Sequence, residues 1–368
     1  MVRSSRRILG LHRVIPLFAL VMTGCSPFYV MRAAYEQSKI LLARQEIEDA
    51  LNDESVSVEE KQKLKVVLAA REYAQSMGLN PGRSFTKYAD IGKDTLAWVL
   101  VAARKDSFSL HSWWFPIVGR VPYKGYFDKE DALEAGRELE EEGYEAFVRG
   151  TDAFSTLGWF NDPVLSTTLQ GPPYRIANTV IHESVHSTVW IKGNVPFNES
   201  FANFVGNEGA VLFYAAWQKR CVETKECSDA DRLQVDAELA RAQRDRSYQF
   251  EVAELIDALY EELNTLYQRA DLSFEDKVKE RDVVFARHLN PFRAKYPELK
   301  ALQKLNNAEI IQLKLYLSRL DHFEKLFTLM NRDWAAFTGK IKELAALVGE
   351  DSSKDPFAEL KKIVGVEG

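Results

Sequence analysis

The sequence predicts an α+β fold that is predominantly helical, and three observations predict it. Apolar residues recur at helical spacing over long stretches towards both ends of the chain. Two runs near the middle, Leu96-Ala97-Trp98-Val99-Leu100-Val101-Ala102-Ala103 and Glu145-Ala146-Phe147-Val148-Arg149, read instead as strands. No Pro/Gly/Ser linker, low-complexity stretch or repeat interrupts the 368 residues, so one large core or two lobes can form.

Residues 28 to 78 read as two helices. The first stops near Asn52-Asp53-Glu54-Ser55, and the second runs from about Val58 to Ser76 with Leu64, Val67, Leu68 and Tyr73 on its apolar side. A helix from about Lys129 to Glu142 separates the two strands. Pro172-Pro173 suits the first turn of another helix, which Lys192-Gly193-Asn194 closes after Trp190-Ile191. Val195-Pro196-Phe197 then breaks the chain. Asn198 suits the N-cap of a further helix, to which Phe201, Ala202, Phe204 and Val205 give an apolar side. From Ser228 onward the chain is strongly helical, with a broad stripe from Phe250 to Tyr267. Ser273-Phe274-Glu275-Asp276 fits a cap for the next helix, reaching about His288. The organisation expected is a signal at 1–24, a helical part at 25–94, a sheet and metal-site part at 95–227 and a helical part at 228–368.

The segment between Pro172 and Ile191 carries the chemistry. It contains His182-Glu183-Ser184-Val185-His186, an H-E-x-x-H pattern in a chain with only six histidines. Positions i and i+4 share one helix face, so both imidazoles can hold one zinc ion while the glutamate beside the first reaches a water there. A catalytic zinc typically takes three protein ligands. Glu199, in the first turn of the next helix, can complete the set, with Glu208 the competing choice, less attractive because it sits two or more turns deeper. Asn203, one turn after Glu199, can orient a ligand.

Charge and cysteines narrow the setting. The whole chain carries −6, and residues 1–24 contain four arginines and no acids, which leaves −10 on the rest. That argues against nucleic acid as a partner and against electrostatic attraction to anionic lipid. Arg3, Arg6, Arg7 and Arg13 precede the apolar run Val14 to Met22, which is short for a membrane span and reads as a secretory signal. Met22-Thr23-Gly24-Cys25 resembles a bacterial lipobox, which implies that Cys25 is lipidated, with an uncleaved anchor or ordinary signal cleavage as the alternatives. Ser26 in place of aspartate implies the periplasmic face of the outer membrane. Cys221 and Cys227, six apart in an oxidising compartment, are expected to form a small loop disulfide.

His182 to His186 followed by Asn198-Glu199-x-x-Ala202 resembles the gluzincin metallopeptidases, with a shortened connection between the second histidine and the glutamate. The chain is more similar to the bacterial family described as predicted aminopeptidases, through four blocks. These are Phe108-Ser109-Leu110 with Trp114-Phe115-Pro116, Tyr123 to Phe127, Ser155 to Phe160 with Asp162-Pro163, and Phe197 to Ala202. The likeness covers most of the chain. It implies a zincin-like fold with a small sheet beside the zinc helices, one zinc ion per chain, and peptide substrates cut with Glu183 as general base. Two departures stand out. Gly206 follows Val205 where the family tends to have a glutamate, and the Gly-x-Met-Glu-Asn strand with which larger zinc aminopeptidases grip a free amine is missing.

The developing oxyanion needs a donor besides the metal. Tyr316, after Asn306-Asn307-Ala308, is favoured because its surroundings resemble the family's C-terminal signature, with His288 and His322 as rivals. The strand Ala153 to Gly158 is the expected peptide-binding edge, through Ser155, Thr156, Leu157 and Gly158. Other readings are an envelope lipoprotein that acts as a scaffold, or a metal-binding module without hydrolysis.

Overall fold

A computed structural model describes residues 27–115, 119–151, 162–224, 227–297, 302 and 305–365. The first departure from the sequence expectation occurs at Ile47. Helix α1 (Pro27–Leu42) does not run on to Asn52: strand β1 (Gln45–Glu46) separates it from α2 (Ile47–Asn52). The Ile47 side chain is buried and its backbone N–H donates to Thr86 O at 3.0 Å. Tertiary pairing therefore overrides helix propensity at this point. Helix α3 (Val58–Ser76) starts on a capping box made by Ser57 and Glu60.

Strand β2 (Lys87–Ala89) lies between β1 and the later β8 (Val164–Leu165) in a three-stranded sheet. The sheet beside the candidate site is built from β3 (Ala97–Arg104), β6 (Lys124–Tyr126) and β7 (Tyr144–Thr151), in the order β6-β3-β7. All of its pairings are antiparallel, with Val99 opposite Arg149. A hairpin of β4 (Trp113–Phe115) and β5 (Gly119–Val121) precedes β6. Strand alternation gives β3 two apolar faces. Leu100 and Ala102 pack on Leu139 of α4 (Lys129–Glu141), whereas Val101 and Ala103 pack on Ala308.

After a 3-10 turn at Thr168–Gln170, the remaining elements are α-helices: α5 (Pro173–His186), α6 (Val195–Thr224), α7 (Asp229–Tyr267), α8 (Phe274–Lys295), α9 (Asn307–Leu317), α10 (Leu320–Leu329), α11 (Trp334–Glu350) and α12 (Pro356–Ile363). Ser273 caps α8 as expected, accepting from Asp276 N–H, but the helix continues past His288 and through Pro291. Phe292 and Tyr296 pack their rings against Tyr248 of α7, and Arg293 donates to Leu302 O. Packing thus holds together a turn that lacks one backbone donor.

The largest core unites Phe197, Phe201 and Phe204 of α6 with Phe323 and Phe327 of α10 and Phe337 of α11. It draws also on Ile181 of α5 and Leu263 of α7, so the segment bearing the histidines is buried against the helical C-terminal part. A disulfide joins Cys221 near the end of α6 to Cys227 before α7. Among the described residues, no helix is long and apolar enough to cross a membrane.

Candidate metal centre and active site

Helix α5 begins at Pro173, whose missing N–H costs nothing in a first turn. The next donor, Tyr174 N–H, bonds to Glu238 Oε2 of α7 at 3.0 Å, so a carboxylate from another helix serves as the cap. Helix α5 ends at His186 and does not reach Ile191. The Thr188 hydroxyl donates to Ser184 O at 2.6 Å and accepts Asn80 N–H at 2.8 Å, which turns the chain away from the helix axis.

Helix α6 starts at Val195, three residues before the expected cap. Asn198 is not that cap. It is buried, and its amide makes two hydrogen bonds of 2.9 Å, one to Ile191 O and one from Ile191 N–H. The amide takes the place of a missing strand partner for Ile191. It fixes the short return from α5 to α6 and brings Glu199 over the histidine face.

The result is a compact donor set. His182 Nε2 and His186 Nε2 lie 3.1 Å apart, and Glu199 Oε2 lies 3.4 Å from the first and 3.5 Å from the second. Ligands held tetrahedrally at about 2.0–2.1 Å are separated by about 3.3–3.4 Å, so the triangle matches one face of such a shell. The residues present therefore fit a metal ion of that geometry. Burial raises the Glu199 carboxyl, but hydrogen bonds from His182 and His186 outweigh it and hold its pKa at about 2. Burial lowers the His182 imidazole, yet its bond to Glu199 and the nearby Glu183 carboxylate leave it above its usual range.

Glu183 also reaches this cluster, within 4.8 Å of the histidine nitrogens. Glu199 Oε2 lies within 3.5 Å of both ring nitrogens, the position a third ligand would take. Glu183 keeps a buried oxygen, Oε2, with no hydrogen-bond partner among the described residues. A buried acceptor left open beside a metal position suits a group that will take a proton. Glu208 is engaged elsewhere, since Arg246 and Arg332 both bond to its buried carboxylate. Asn203 turns to Gln249, 2.9 Å away, within an amide network that includes Asn178 and Asn207.

The centre lies in a cleft of about 810 Å³ whose lining includes Glu183, Glu199, Tyr316 and Arg149. The Tyr316 ring is 6.5 Å from that of His182. Burial, reinforced by Glu199 and Glu183, pushes its phenol above the ordinary value against the opposing pull of Arg149, so it is a protonated donor at neutral pH. Two contacts fix its position. The Ser200 hydroxyl donates to Leu315 O at 3.1 Å and accepts Ser318 N–H at 3.0 Å. At the other end of α9, Asn306 donates to Ala146 O, and the buried Asn307 donates to Arg104 O at 2.8 Å and accepts from the Tyr267 hydroxyl. The Asn306-Asn307-Ala308 block thus docks α9 on the sheet.

The rivals to Tyr316 lie away from the cleft: His288 pairs with Glu262, and His322 is buried within α10. Cys25 and the expected substrate edge, Ser155, Thr156, Leu157 and Gly158, lie outside the described residues. Strand β7 runs into the cleft through Arg149 and Thr151. Sequence reasoning passed over Arg149, although a cation closing an otherwise apolar strand run was the signal available.

The chain matches none of the curated proteins and none of the solved structures. The model of the family described as "Putative aminopeptidase" matches residues 28–355, which takes in α1 to α11 and every residue of the centre. The chain belongs to that family.

Proposed function

We propose that the protein is a zinc-dependent peptidase with one zinc ion per chain, held by His182, His186 and Glu199. The observation that carries this reading is the triangle of 3.1, 3.4 and 3.5 Å edges with an open carboxylate oxygen of Glu183 beside it. The family's description supports aminopeptidase activity, and the donor set is the type found in zincin-like hydrolases. Bound there, zinc would supply Lewis-acid polarisation of a carbonyl and lower the pKa of a water.

The chain's own residues supply the rest. Glu183 takes a proton from the attacking water and returns it to the leaving amine. Tyr316 donates its phenolic hydrogen to the oxygen on which negative charge develops. Ser155 to Gly158 would hold the substrate main chain.

Incubating purified protein with a mixed peptide library, with and without chelator, tests the reading. Cleavage that chelator abolishes and zinc restores is expected. Cleavage that survives full metal removal would exclude it, as would stoichiometric zinc in Glu199→Ala for the ligand assignment.

We also infer anchoring to the bacterial envelope through lipid on Cys25, facing the periplasm, most consistent with the outer membrane. The four arginines, the apolar run and Met22-Thr23-Gly24-Cys25 support it. A soluble Cys25→Ser variant is expected, and unchanged membrane association of that variant would sink the anchor.

A further inference from the structure

The cleft carries a charge pattern opposite to that of the chain. The protein as a whole is acidic, at −6, yet Arg149 and Arg175 both line the cleft. Its only described carboxylates are Glu183 and Glu199, which the metal centre and the proton transfer already use. Loaded with a divalent cation, the described lining is net positive. Among the described residues there is no further acid in it to hold a substrate's ammonium group.

The two arginines differ in kind. Arg175 is exposed, with its guanidinium over the Tyr174 ring, and lies two turns from His182 along α5, roughly 10 Å away at 1.5 Å per residue. It contributes field. Arg149 is half-buried, and it is held from two sides by Gln312, which accepts its Nε–H at 3.3 Å, and by the Tyr316 phenol. Arg246, partly buried, and Arg281, buried, have carboxylate partners in Glu208 and Glu145, and the partly buried Arg71 spends its guanidinium on the carbonyl oxygens of Ser84 and Gly82. Among the described residues, Arg149 has no carboxylate partner. A partly buried guanidinium without a counter-charge costs free energy, and a planar fork fixed at its base is preorganised for a carboxylate.

We propose that Arg149 binds a carboxylate of the substrate, so that the enzyme selects short peptides with an anionic group next to the scissile bond. This rests on the peptidase reading and names the substrate class of that site. The carboxylate comes either from the free C-terminus of a short peptide or from an Asp or Glu side chain. Both present the same bidentate acceptor one phenol away from the reacting carbonyl.

The test pairs kinetics with a binding measurement that needs no turnover. Matched short peptides are compared as free acids and C-terminal amides, each with Glu or Gln beside the scissile bond, using wild type, Arg149→Gln and Arg149→Lys. The preferred wild-type substrate is expected to be a free acid or a Glu peptide, and which of the two identifies the source of the carboxylate. Arg149→Gln should raise KM for it by roughly 10- to 100-fold, the scale of a charged hydrogen-bonded pair. The amide or Gln counterpart should keep its KM, any loss of turnover through the contact with Tyr316 being shared by all the substrates, and Arg149→Lys should recover part of the rise in KM. In parallel, N-acetylglutamate should bind wild type more tightly than N-acetylglutamine, and Arg149→Gln should erase the difference. Equal KM for acids and their neutral counterparts in wild type would overturn the proposal, as would Arg149→Gln shifting KM alike for both. Absence of any peptide cleavage, with N-acetylglutamate binding intact, would instead remove the peptidase reading and leave the anion site standing.

Discussion

Gly206 and His182 face each other where α6 crosses α5: a β-carbon on Gly206 would lie 3.1 Å from His182 Cβ and 2.7 Å from Asn178 Oδ1. One of those neighbours is backbone-proximal and the other belongs to a bonded amide network, so neither can move aside cheaply. Close approach of the two helices is what lets Glu199 reach both histidines. With α5 seated this near, a glutamate at position 206 has no room.

Gly206→Ala is therefore expected to lose about 1–3 kcal/mol of stability, the usual cost of overpacking. It should weaken zinc retention at the same time, because α5 can relieve the clash only by carrying His182 away from Glu199. Thermal unfolding and metal content, measured on the same preparation, check this. A variant with normal melting and full zinc would show that the crossing has slack.

Glu183→Gln keeps shape and a hydrogen-bonding oxygen but cannot take up a proton. Zinc should remain bound while turnover falls by roughly two to four orders of magnitude. Loss of metal from this variant would make Glu183 a ligand and overturn its role as the base.

Tyr316→Phe removes one donor from the cleft without emptying it. Turnover should fall roughly 10²–10³-fold with KM little changed, as for removal of an oxyanion donor. An effect confined to KM would assign the phenol to substrate binding.

Glu309, in the first turn of α9, has its carboxyl raised by burial to about 7. A carboxyl raised in the folded state binds more protons there than in the unfolded chain between its ordinary value near 4.5 and about 7. Stability from this group therefore declines as pH rises through that window. Glu309→Gln should flatten the decline and stabilise the protein at pH 8, by on the order of 1 kcal/mol once solvent screening is allowed for. Melting temperatures of both proteins from pH 4.5 to 8 decide it.

The parts of the centre that sequence made legible are those set by local spacing. His182 and His186 share a face because a helix repeats every 3.6 residues, and Glu199 follows a visible chain break. Tyr316 came from its surrounding block, whose docking role needs Ala146 and Arg104, residues far away in sequence. Asn198 was misread because its side chain type suits an N-cap equally well. Only the fold shows that Ile191, not a helix end, satisfies its amide. Arg149 stayed hidden for a similar reason: its isolation from carboxylates is a property of three-dimensional neighbours. The split of the first helix at β1 likewise depends on a strand some forty residues downstream.

The Ser200 hydroxyl, bonded on both sides to the chain around Tyr316, lies one residue from Glu199. It makes the wall of the cleft and its floor a single mechanical body: a displacement of α9 is transmitted to the turn that bears Glu199. The span between the His182–His186–Glu199 triangle and the phenol is then a built-in gauge, not an adjustable jaw. On the peptidase reading, a peptide has to bring its carbonyl to that fixed span, so strain imposed on the bound chain is borne by the substrate.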